Sequence, residues 1–240
     1  VDGAAHRQGL AIIYNQYHRL GQDESPLEAE RAIFQPLFTT SFLIEHFMRS
    51  NDWFGAEALL MTSASSKTSL GLAMVAKNLS PKIRRIGLTS AGNKAFVEQS
   101  GLYDEVLTYD NLSAADAAKP TVSVDFAGNS QLLGAIHSHW GDNLKFSSLV
   151  GATHISERGG ADALQGPKPE LFFAPTAAES LMKEIGPAAF RARVDEQFSA
   201  FVAGASAYLT VERLDGRDAL QTAYLAMEVA PSRGLMCHLN

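Results

Sequence analysis

The fold of this chain is decided by the stretch Glu57-Ala-Leu-Leu-Met-Thr-Ser-Ala-Ser-Ser-Lys-Thr-Ser-Leu-Gly71. Its apolar run, Leu59 to Met61, is typical of a strand buried on both faces. After a group of small hydroxyl residues, Leu70, Ala73 and Met74 recur at the spacing of one helix face. The stretch therefore predicts a strand, a tight turn and a helix, and the N–H groups at such a helix N-terminus form a natural anion site.

The turn differs from the glycine-rich turn of dinucleotide-binding proteins. In the pattern G-x-G-x-x-G, the glycines allow a tight turn, close approach of the pyrophosphate and close helix packing. Ala64, Ser66 and Ser69 stand at those places and are small enough to keep the geometry if their φ angles stay negative. The alternative is an ordinary strand-to-helix turn with a serine cap. The predicted phosphate-binding residues are Ser63, Ala64, Ser65, Ser66, Lys67, Thr68 and Ser69.

Length and composition indicate a globular chain that can bury a full core. The chain has 240 residues, of which 46% are hydrophobic and 19% charged, so one large domain plus an appendage is predicted. A net charge of -6 argues against a partner such as duplex nucleic acid, whose phosphates require a basic face. Cys237 is the single cysteine, which excludes an internal disulfide and a multi-cysteine zinc site.

Localisation is predicted to be the cytoplasm. A single cysteine suits a reducing compartment, and no apolar run is long enough to span a membrane or to serve as a signal peptide. Because the chain starts at Val1 without methionine, it is interpreted as a possible fragment or processed product.

Strand and helix patterns alternate along the chain. This rhythm predicts an α/β fold, a doubly wound parallel sheet with right-handed crossovers. Residues 1–35 are predicted to be irregular and residues 39–50 helical, before a strand that begins near Glu57. Further strands are predicted at 82–89, 105–108, 121–126, 144–150, 171–174, 207–211 and 234–239. Further helices are predicted at 95–99, 114–118, 177–185, 188–202 and 218–228, and one more begins at residue 129.

The order of these segments resembles the nucleotide-binding half of the medium-chain dehydrogenase/reductase superfamily, nearest to its quinone-oxidoreductase branch. Ser63-Ala-Ser-Ser-Lys-Thr-Ser69 stands where that branch has its glycine-rich turn. Gly101-Leu-Tyr-Asp-Glu-Val-Leu-Thr-Tyr-Asp110 is similar to its L-G-A-D-x-V-I-x-Y segment, and Val124-Asp-Phe-Ala-Gly128 is similar to its D-x-x-G strand end. Residues 216–239 resemble its closing helix and strand. The resemblance implies a Rossmann-like domain and a reductase that uses no zinc.

A narrower resemblance connects the chain to an uncharacterised bacterial subgroup of that superfamily, a domain of unknown function. It rests on Tyr14-Asn-Gln-Tyr17, Pro36-Leu-Phe-Thr-Thr-Ser-Phe-Leu-Ile44, Ser63-Ala-Ser-Ser-Lys-Thr68, Val124-Asp-Phe-Ala-Gly128 and Phe172-Phe-Ala-Pro175. This resemblance implies a fold and no reaction. It also implies a division into the remnant edge of a barrel-like catalytic domain at 1–35, a nucleotide-binding domain at 36–205, and a strand-helix-strand at 206–240 that returns to the first domain.

The end of the second predicted strand favours NADP(H) over NAD(H). An NAD site places an acidic residue there to bond the ribose 2′-hydroxyl, but Leu88-Thr-Ser-Ala-Gly92 offers none. Ser90 and Lys94 could instead bind a 2′-phosphate, and the alternative is a polar surface turn. The predicted cofactor residues of this region are Thr89, Ser90, Asn93, Lys94 and Tyr109.

Other strand ends supply the remaining candidates. Resemblance places Asp125, Gly128 and Asn129 near the nicotinamide ribose, although Asp125 could equally be a structural carboxylate that bonds backbone N–H groups. Gly151 is a further cofactor candidate. His154, after the fifth strand, is the predicted proton donor, with Tyr14 as a second catalytic candidate on the substrate side. A strand-end histidine and a packed tyrosine are the structural alternatives.

Two other patterns carry expectations of their own. Arg84 and Arg85 both lie in a predicted strand, so at least one should point to solvent or to a carboxylate. His137 and His139 are two apart on a predicted helix, where they project apart and form a poor metal pair, and no metal site is predicted.

Three functions compete. The first is an NADP(H)-dependent reductase of a carbonyl or an enone, and the second is a non-catalytic nucleotide-binding or interaction domain. The third is a degenerate P-loop NTPase, suggested by Lys67-Thr68. It is disfavoured because Met61 and Ser66 stand at the two glycine positions of G-x-x-x-x-G-K-[ST]. The substrate is left open. Phe172 and Phe173 lie on a short strand through which resemblance suggests a homodimer.

Overall fold

The central feature of the molecule is a six-stranded parallel sheet. The structure is a computed structural model that describes residues 3–10, 15, 27–150, 164–226 and 230–239. The strands are β1 (Ala58–Met61), β2 (Arg84–Thr89), β3 (Glu105–Thr108), β4 (Thr121–Asp125), β5 (Leu144–Val150) and β6 (Glu170–Phe172). Their spatial order is β3-β2-β1-β4-β5-β6. The chain adds β1 to β3 towards one edge of the sheet and β4 to β6 towards the other, so the strand order reverses between β1 and β4. This order is that of a Rossmann-like fold and confirms the predicted fold class.

Helices cover both faces of the sheet. They are α1 (Glu28–Ser50), α2 (Lys67–Leu79), α3 (Lys94–Gln99), α4 (Ser130–Trp140), α5 (Ala174–Ile185) and α6 (Pro187–Ala205). Leu59 and Met61 of β1 belong to a core shared with α1, α2, α5 and α6. Ala58 and Leu60 belong to a second core with Ile136 and Trp140 of α4. Alternate residues of one strand therefore enter opposite cores, which explains the continuous apolar run.

Helix α1 corrects the prediction for the N-terminal region. Residues 1–35 were expected to be irregular, but α1 begins at Glu28 and continues through Pro36. Proline removes one helical hydrogen bond. Tertiary packing outweighs that loss, because Phe38 is almost fully buried with its ring centroid 5.5 Å from that of Phe198 and 5.2 Å from that of Phe201, both in α6. The predicted domain boundary at residue 36 falls inside this helix and stays a prediction.

Two other predicted elements are displaced. The helix expected at 114–118 is wrong, because Tyr109–Ala114 forms 3-10 turns and Ala115 is already extended. The strand expected at 207–211 begins later, as β7 (Thr210–Asp215). This strand pairs in parallel with β8 (Arg233–His238), and α7 (Arg217–Ala226) connects them. We call β7, α7 and β8 the C-terminal unit.

The two neighbouring arginines of β2 behave as predicted. Arg84 is exposed and pairs with Glu105 at 3.1 Å. Arg85 is buried, and its guanidinium donates to Asp104 at 2.8 Å and to the carbonyl of Leu102 at 2.9 Å. The buried charge is therefore paired and hydrogen-bonded, as burial of a charge requires.

A buried histidine joins β4, β5 and α4. The carbonyl of Gln165 can only accept, so Nδ1 of His137 donates to it at 2.8 Å, and Nε2 accepts from the hydroxyl of Ser147 at 3.0 Å. The hydroxyl of Ser123 in turn donates to Ser147 at 3.3 Å. His137 and His139 have separate partners, since Nε2 of His139 bonds the carbonyl of Ala115 at 2.9 Å. The expectation that the two side chains project apart is confirmed.

The stability of the protein is expected to fall in mild acid because of His137. Burial lowers the pKa of this imidazole. The unfolded chain takes up a proton as the pH falls through about 6.5, whereas the folded chain takes it up only at a lower pH. The contribution of His137 is therefore complete above that pH and is lost progressively below it, so the free energy of unfolding should be smaller at pH 5.5 than at pH 7.5. Urea unfolding at both pH values should show a smaller loss in His137→Gln, while His139→Gln keeps the full loss. Equal losses in all three proteins would contradict this account.

None of the helices in the described stretches combines the length and apolar character needed to cross a membrane.

Candidate functional site

The turn between β1 and α2 keeps a compact path without glycine. Ala64, Ser66 and Ser69 have no positive φ, as the sequence required, and the left-handed conformation falls instead on Ser63, with φ of 47°. The amide of Ser66 donates to the carbonyl of Ser63 at 2.7 Å, which closes the turn. Ser66 then caps α2, because its Oγ accepts from the amide of Ser69 at 3.2 Å. Small residues therefore form the tight turn between strand and helix that glycines usually form in the G-x-G-x-x-G pattern.

Gly87 of β2 allows the turn to lie close to the sheet. The amide of Ala64 donates to the carbonyl of Leu88 at 2.9 Å. A Cβ atom at Gly87 would lie 2.9 Å from the Cβ of Ala64 and 2.9 Å from Cδ1 of Tyr103. Such distances are too short for real Cβ contacts, so residue 87 must be glycine for Ala64 and Tyr103 to occupy their positions.

The side chain of Tyr103 holds the turn in place, and this residue was not among those predicted from the sequence. Its hydroxyl donates to the carbonyl of Ala64 at 2.8 Å and lies 3.0 Å from Oγ of Ser69. Burial raises the pKa of this phenol. The available signal was Gly87, since a glycine inside a strand marks the close approach of another group.

Tyr109 contacts the same turn from the end of β3. Its hydroxyl accepts from the amide of Ser63 at 3.2 Å. The sequence placed Tyr109 near a 2′-phosphate, whereas the structure brings it to Ser63. Two tyrosines that flank β3 therefore hold a turn that has no glycine of its own.

The first turn of α2 presents backbone donors beyond the end of β1. The first N–H groups of any helix have no intrahelical acceptor. In α2 the N–H of Ser69 is satisfied by its cap, and the N–H groups of Lys67 and Thr68 stand at the open end of the helix. Together with the positive end of the helix dipole, such groups suit an anion.

Lys67 adds a cation to this helix end. It is the first residue of α2, is half-buried, and donates from Nζ to the carbonyl of Pro231 at 3.4 Å. Burial lowers the pKa of its ammonium group. Pro231 lies two residues before the start of β8, so this contact connects the turn with the C-terminal unit.

The structure brings together some of the residues predicted for a 2′-phosphate. Thr89 ends β2 and is buried, and Ser90 follows it on the surface. Nδ2 of Asn93 donates to Oγ of Ser65 at 3.0 Å, which joins this region to the turn. Lys94 instead pairs with Glu98 along α3.

Asp125 forms a hydrogen-bonded junction between β1 and β4. Its Oδ1 accepts from Oγ1 of Thr62 at 2.7 Å and from the amide of Ala127 at 3.0 Å. Oγ1 of Thr62 also accepts from the amide of Phe126 at 2.8 Å and from the amide of Ala127 at 3.0 Å. These contacts are those of the structural carboxylate that the sequence left as an alternative.

The start of α4 follows the prediction. Gly128 has φ of 67°, which favours glycine, and Oδ1 of Asn129 accepts from the amides of Gln131 at 2.9 Å and Leu132 at 3.0 Å. The amide oxygen of Asn129 is therefore engaged in capping the helix.

The remaining candidates, Tyr14, Gly151 and His154, lie outside the described residues. Within the described ranges, His, Cys, Asp and Glu side chains form no group of three or more that could hold a metal ion.

The sheet order and the turn at the reversal between β1 and β4 define the class of the fold: a Rossmann-like, doubly wound α/β domain. Three solved structures share this fold. They are a putative NADPH:quinone reductase from Mesorhizobium loti (17% identity, TM-score 0.61, covering 91% of this chain and 62% of that one), CurA in complex with NADPH from Vibrio vulnificus (12%, 0.57, 92% and 67%), and TarJ of S. aureus in complex with NADPH (10%, 0.52, 90% and 66%). The chain thus spans 62% to 67% of their lengths.

The chain belongs to the family described as Protein of unknown function (DUF2855), whose model matches residues 1–229. This match agrees with the narrower resemblance read from the sequence. No curated protein matches the chain.

Proposed function

We propose that this chain binds NADP(H) at the carboxyl ends of β1 and β4 and belongs to a reductase of a carbonyl or an enone. The observation that carries the proposal is the turn from residue 62 to residue 69, which has small residues, no positive φ angle at the glycine places of the G-x-G-x-x-G pattern, and open helix N–H groups. This turn stands where the strand order reverses, which is the ligand position of doubly wound sheets.

The end of β2 supports NADP(H) rather than NAD(H). Thr89 and Ser90 stand where an NAD site carries its acidic residue, and Lys94 lies one turn further on. CurA and TarJ, which share the fold, were both crystallised with NADPH. Ser90, Asn93 and Lys94 are therefore proposed to surround the 2′-phosphate.

The residues of the chain would hold the cofactor, which supplies the hydride. The N–H groups of Lys67 and Thr68 would bind the diphosphate, and the strand ends at Asp125 and Gly128 would border the nicotinamide ribose. His154 and Tyr14 remain the proposed proton donors.

A non-catalytic nucleotide-binding or interaction domain is the second candidate. It is favoured by two contacts in which predicted ligand groups are already engaged by the protein: the amide of Ser63 bonds Tyr109, and Lys94 pairs with Glu98. The third candidate, a P-loop NTPase, is disfavoured by Ser66, which caps α2 from a position that a P-loop reserves for glycine.

The edge of the sheet and the cysteine content support two lesser proposals. Leu171 and Phe173, on and beside the edge strand β6, are 44% and 52% exposed. Exposed apolar side chains at a sheet edge suit a partner strand, and we assign this edge to a homodimer.

The cytoplasm is the proposed location, since a single cysteine suits a reducing compartment.

Thermal shift measurements with NADPH, NADH and Mg-ATP test the proposal. A ligand at a hundred times its Kd stabilises the folded state by about 2.7 kcal/mol. That corresponds to a rise in Tm of about 5–10 °C for a chain of this size. We expect this rise with NADPH. Turnover of an enone or carbonyl would then establish a reductase, binding without turnover would favour the second candidate, and a shift only with Mg-ATP would favour the third.

Lys94→Ala is expected to weaken NADPH binding about tenfold and to leave NADH binding unchanged, because a charge-assisted bond to the 2′-phosphate is lost. Glu98→Gln should strengthen NADPH binding about threefold, since Lys94 loses its competing partner. Lys82→Ala, an exposed lysine at the opposite end of β2, is the control. Equal effects of Lys94→Ala on the two cofactors, measured by fluorescence titration, would remove the case for a 2′-phosphate site.

A further inference from the structure

Lys67 carries a positive charge at an unfavourable place. It is the first residue of α2, where the helix dipole disfavours a cation. The side chain is half-buried, and burial lowers the pKa of its ammonium group. No carboxylate among the described residues pairs with it, and its partner is the neutral carbonyl of Pro231.

The bond between Lys67 and Pro231 is suited to exchange. Its length of 3.4 Å lies beyond the usual range for a nitrogen–oxygen hydrogen bond. A phosphate oxygen at the turn would offer the same ammonium group a shorter, charge-assisted bond. The negative charge would also remove the conflict between Lys67 and the helix dipole.

We propose that Lys67 is an anion-dependent latch: its ammonium group holds the Pro231 carbonyl while no dinucleotide is bound, and moves to the diphosphate when NADP(H) binds. The segment 230–232 is then released from the nucleotide-binding turn. The latch rests on the proposed function and adds a regulated contact to it.

Other contacts confine the movement to the lysine side chain and this short segment. Oγ of Ser41 in α1 donates to the carbonyl of Thr68 at 2.7 Å, which holds the start of α2. Gly234 packs closely on α1, since a Cβ atom there would lie 3.1 Å from Ile33 and 3.4 Å from Phe34. The C-terminal unit therefore stays attached to α1 when the Lys67–Pro231 bond breaks.

Hydrogen–deuterium exchange of a peptide that contains Ser232 and Arg233 tests the latch in the full chain. We expect saturating NADPH to increase its exchange several-fold, because the bond to Lys67 is lost. Lys67→Met should show the increased exchange without NADPH and bind NADPH about tenfold more weakly. The matched control is Lys77→Met, because Nζ of Lys77 also donates to a carbonyl, that of Gly101 at 3.0 Å, at the other end of the same helix. It should behave like the unaltered protein in both measurements.

The outcomes separate the latch from the proposed function. If the unaltered protein does not bind NADPH, the proposed function fails and the latch fails with it. If NADPH binds but exchange of the peptide is unchanged, or if Lys67→Met binds NADPH as tightly as the unaltered protein, the latch alone is overturned.

Discussion

Thr62→Val is expected to destabilise the protein by about 2–4 kcal/mol, the largest effect among the variants considered. The hydroxyl of Thr62 donates to Asp125 and accepts from the amides of Phe126 and Ala127. Valine has nearly the same shape and is acceptable in this buried position, so the loss isolates these hydrogen bonds. The buried carboxylate of Asp125 would lose a donor and the partly buried amide of Phe126 would lose its acceptor, and each such loss costs about 1–3 kcal/mol. Urea unfolding measures the difference.

Thr108→Val is the matched control, because Thr108 ends β3 in the same sheet without comparable side-chain contacts among the described residues. It should stay within about 0.5 kcal/mol of the unaltered protein. If Thr62→Val were as mild as this control, the junction between the ends of β1 and β4 would be wrong. The proposed dinucleotide site would then lack the hydrogen bonds that hold these two strand ends together.

Gly87→Ala is expected to cost about 2 kcal/mol and to weaken NADPH binding at least tenfold. The added Cβ would approach the Cβ of Ala64 and the ring of Tyr103 to 2.9 Å. Overpacking of this kind costs about 1–3 kcal/mol. Because the Cβ of Ala64 is fixed to the turn, relief requires the turn itself to move. The binding loss, measured by fluorescence titration, therefore reports on the proposed phosphate site and not only on stability.

Gly204→Ala is the control for this variant. Gly204 is exposed near the end of α6, and a Cβ there would have no heavy atom within 4 Å. It should show no loss of stability, and its NADPH affinity should match that of the unaltered protein. Loss of stability without loss of NADPH affinity in Gly87→Ala would contradict the role assigned to the turn.

Only those parts of the candidate site that depend on residues close together in the sequence could be predicted from it. The β1–α2 turn and the start of α4 at Asn129 depend on neighbouring residues, and so does the serine cap that the sequence left as an alternative; the structure shows all three. Contacts over long separations were not accessible. Tyr109 lies 46 residues from Ser63 and Pro231 lies 164 residues from Lys67, so no local pattern links them.

The sequence by itself determined the alternation of strands and helices, and with it the parallel sheet, because apolar periodicity and small turn residues act within about ten residues. Only the tertiary structure decided that α1 extends back through Pro36, since the packing of Phe38 on α6 outweighs the local preference of proline. It also decided how a turn without glycine keeps its shape. Gly87 has no side chain and so leaves room beside the turn, and the ring of Tyr103 fills that room because β2 and β3 lie side by side.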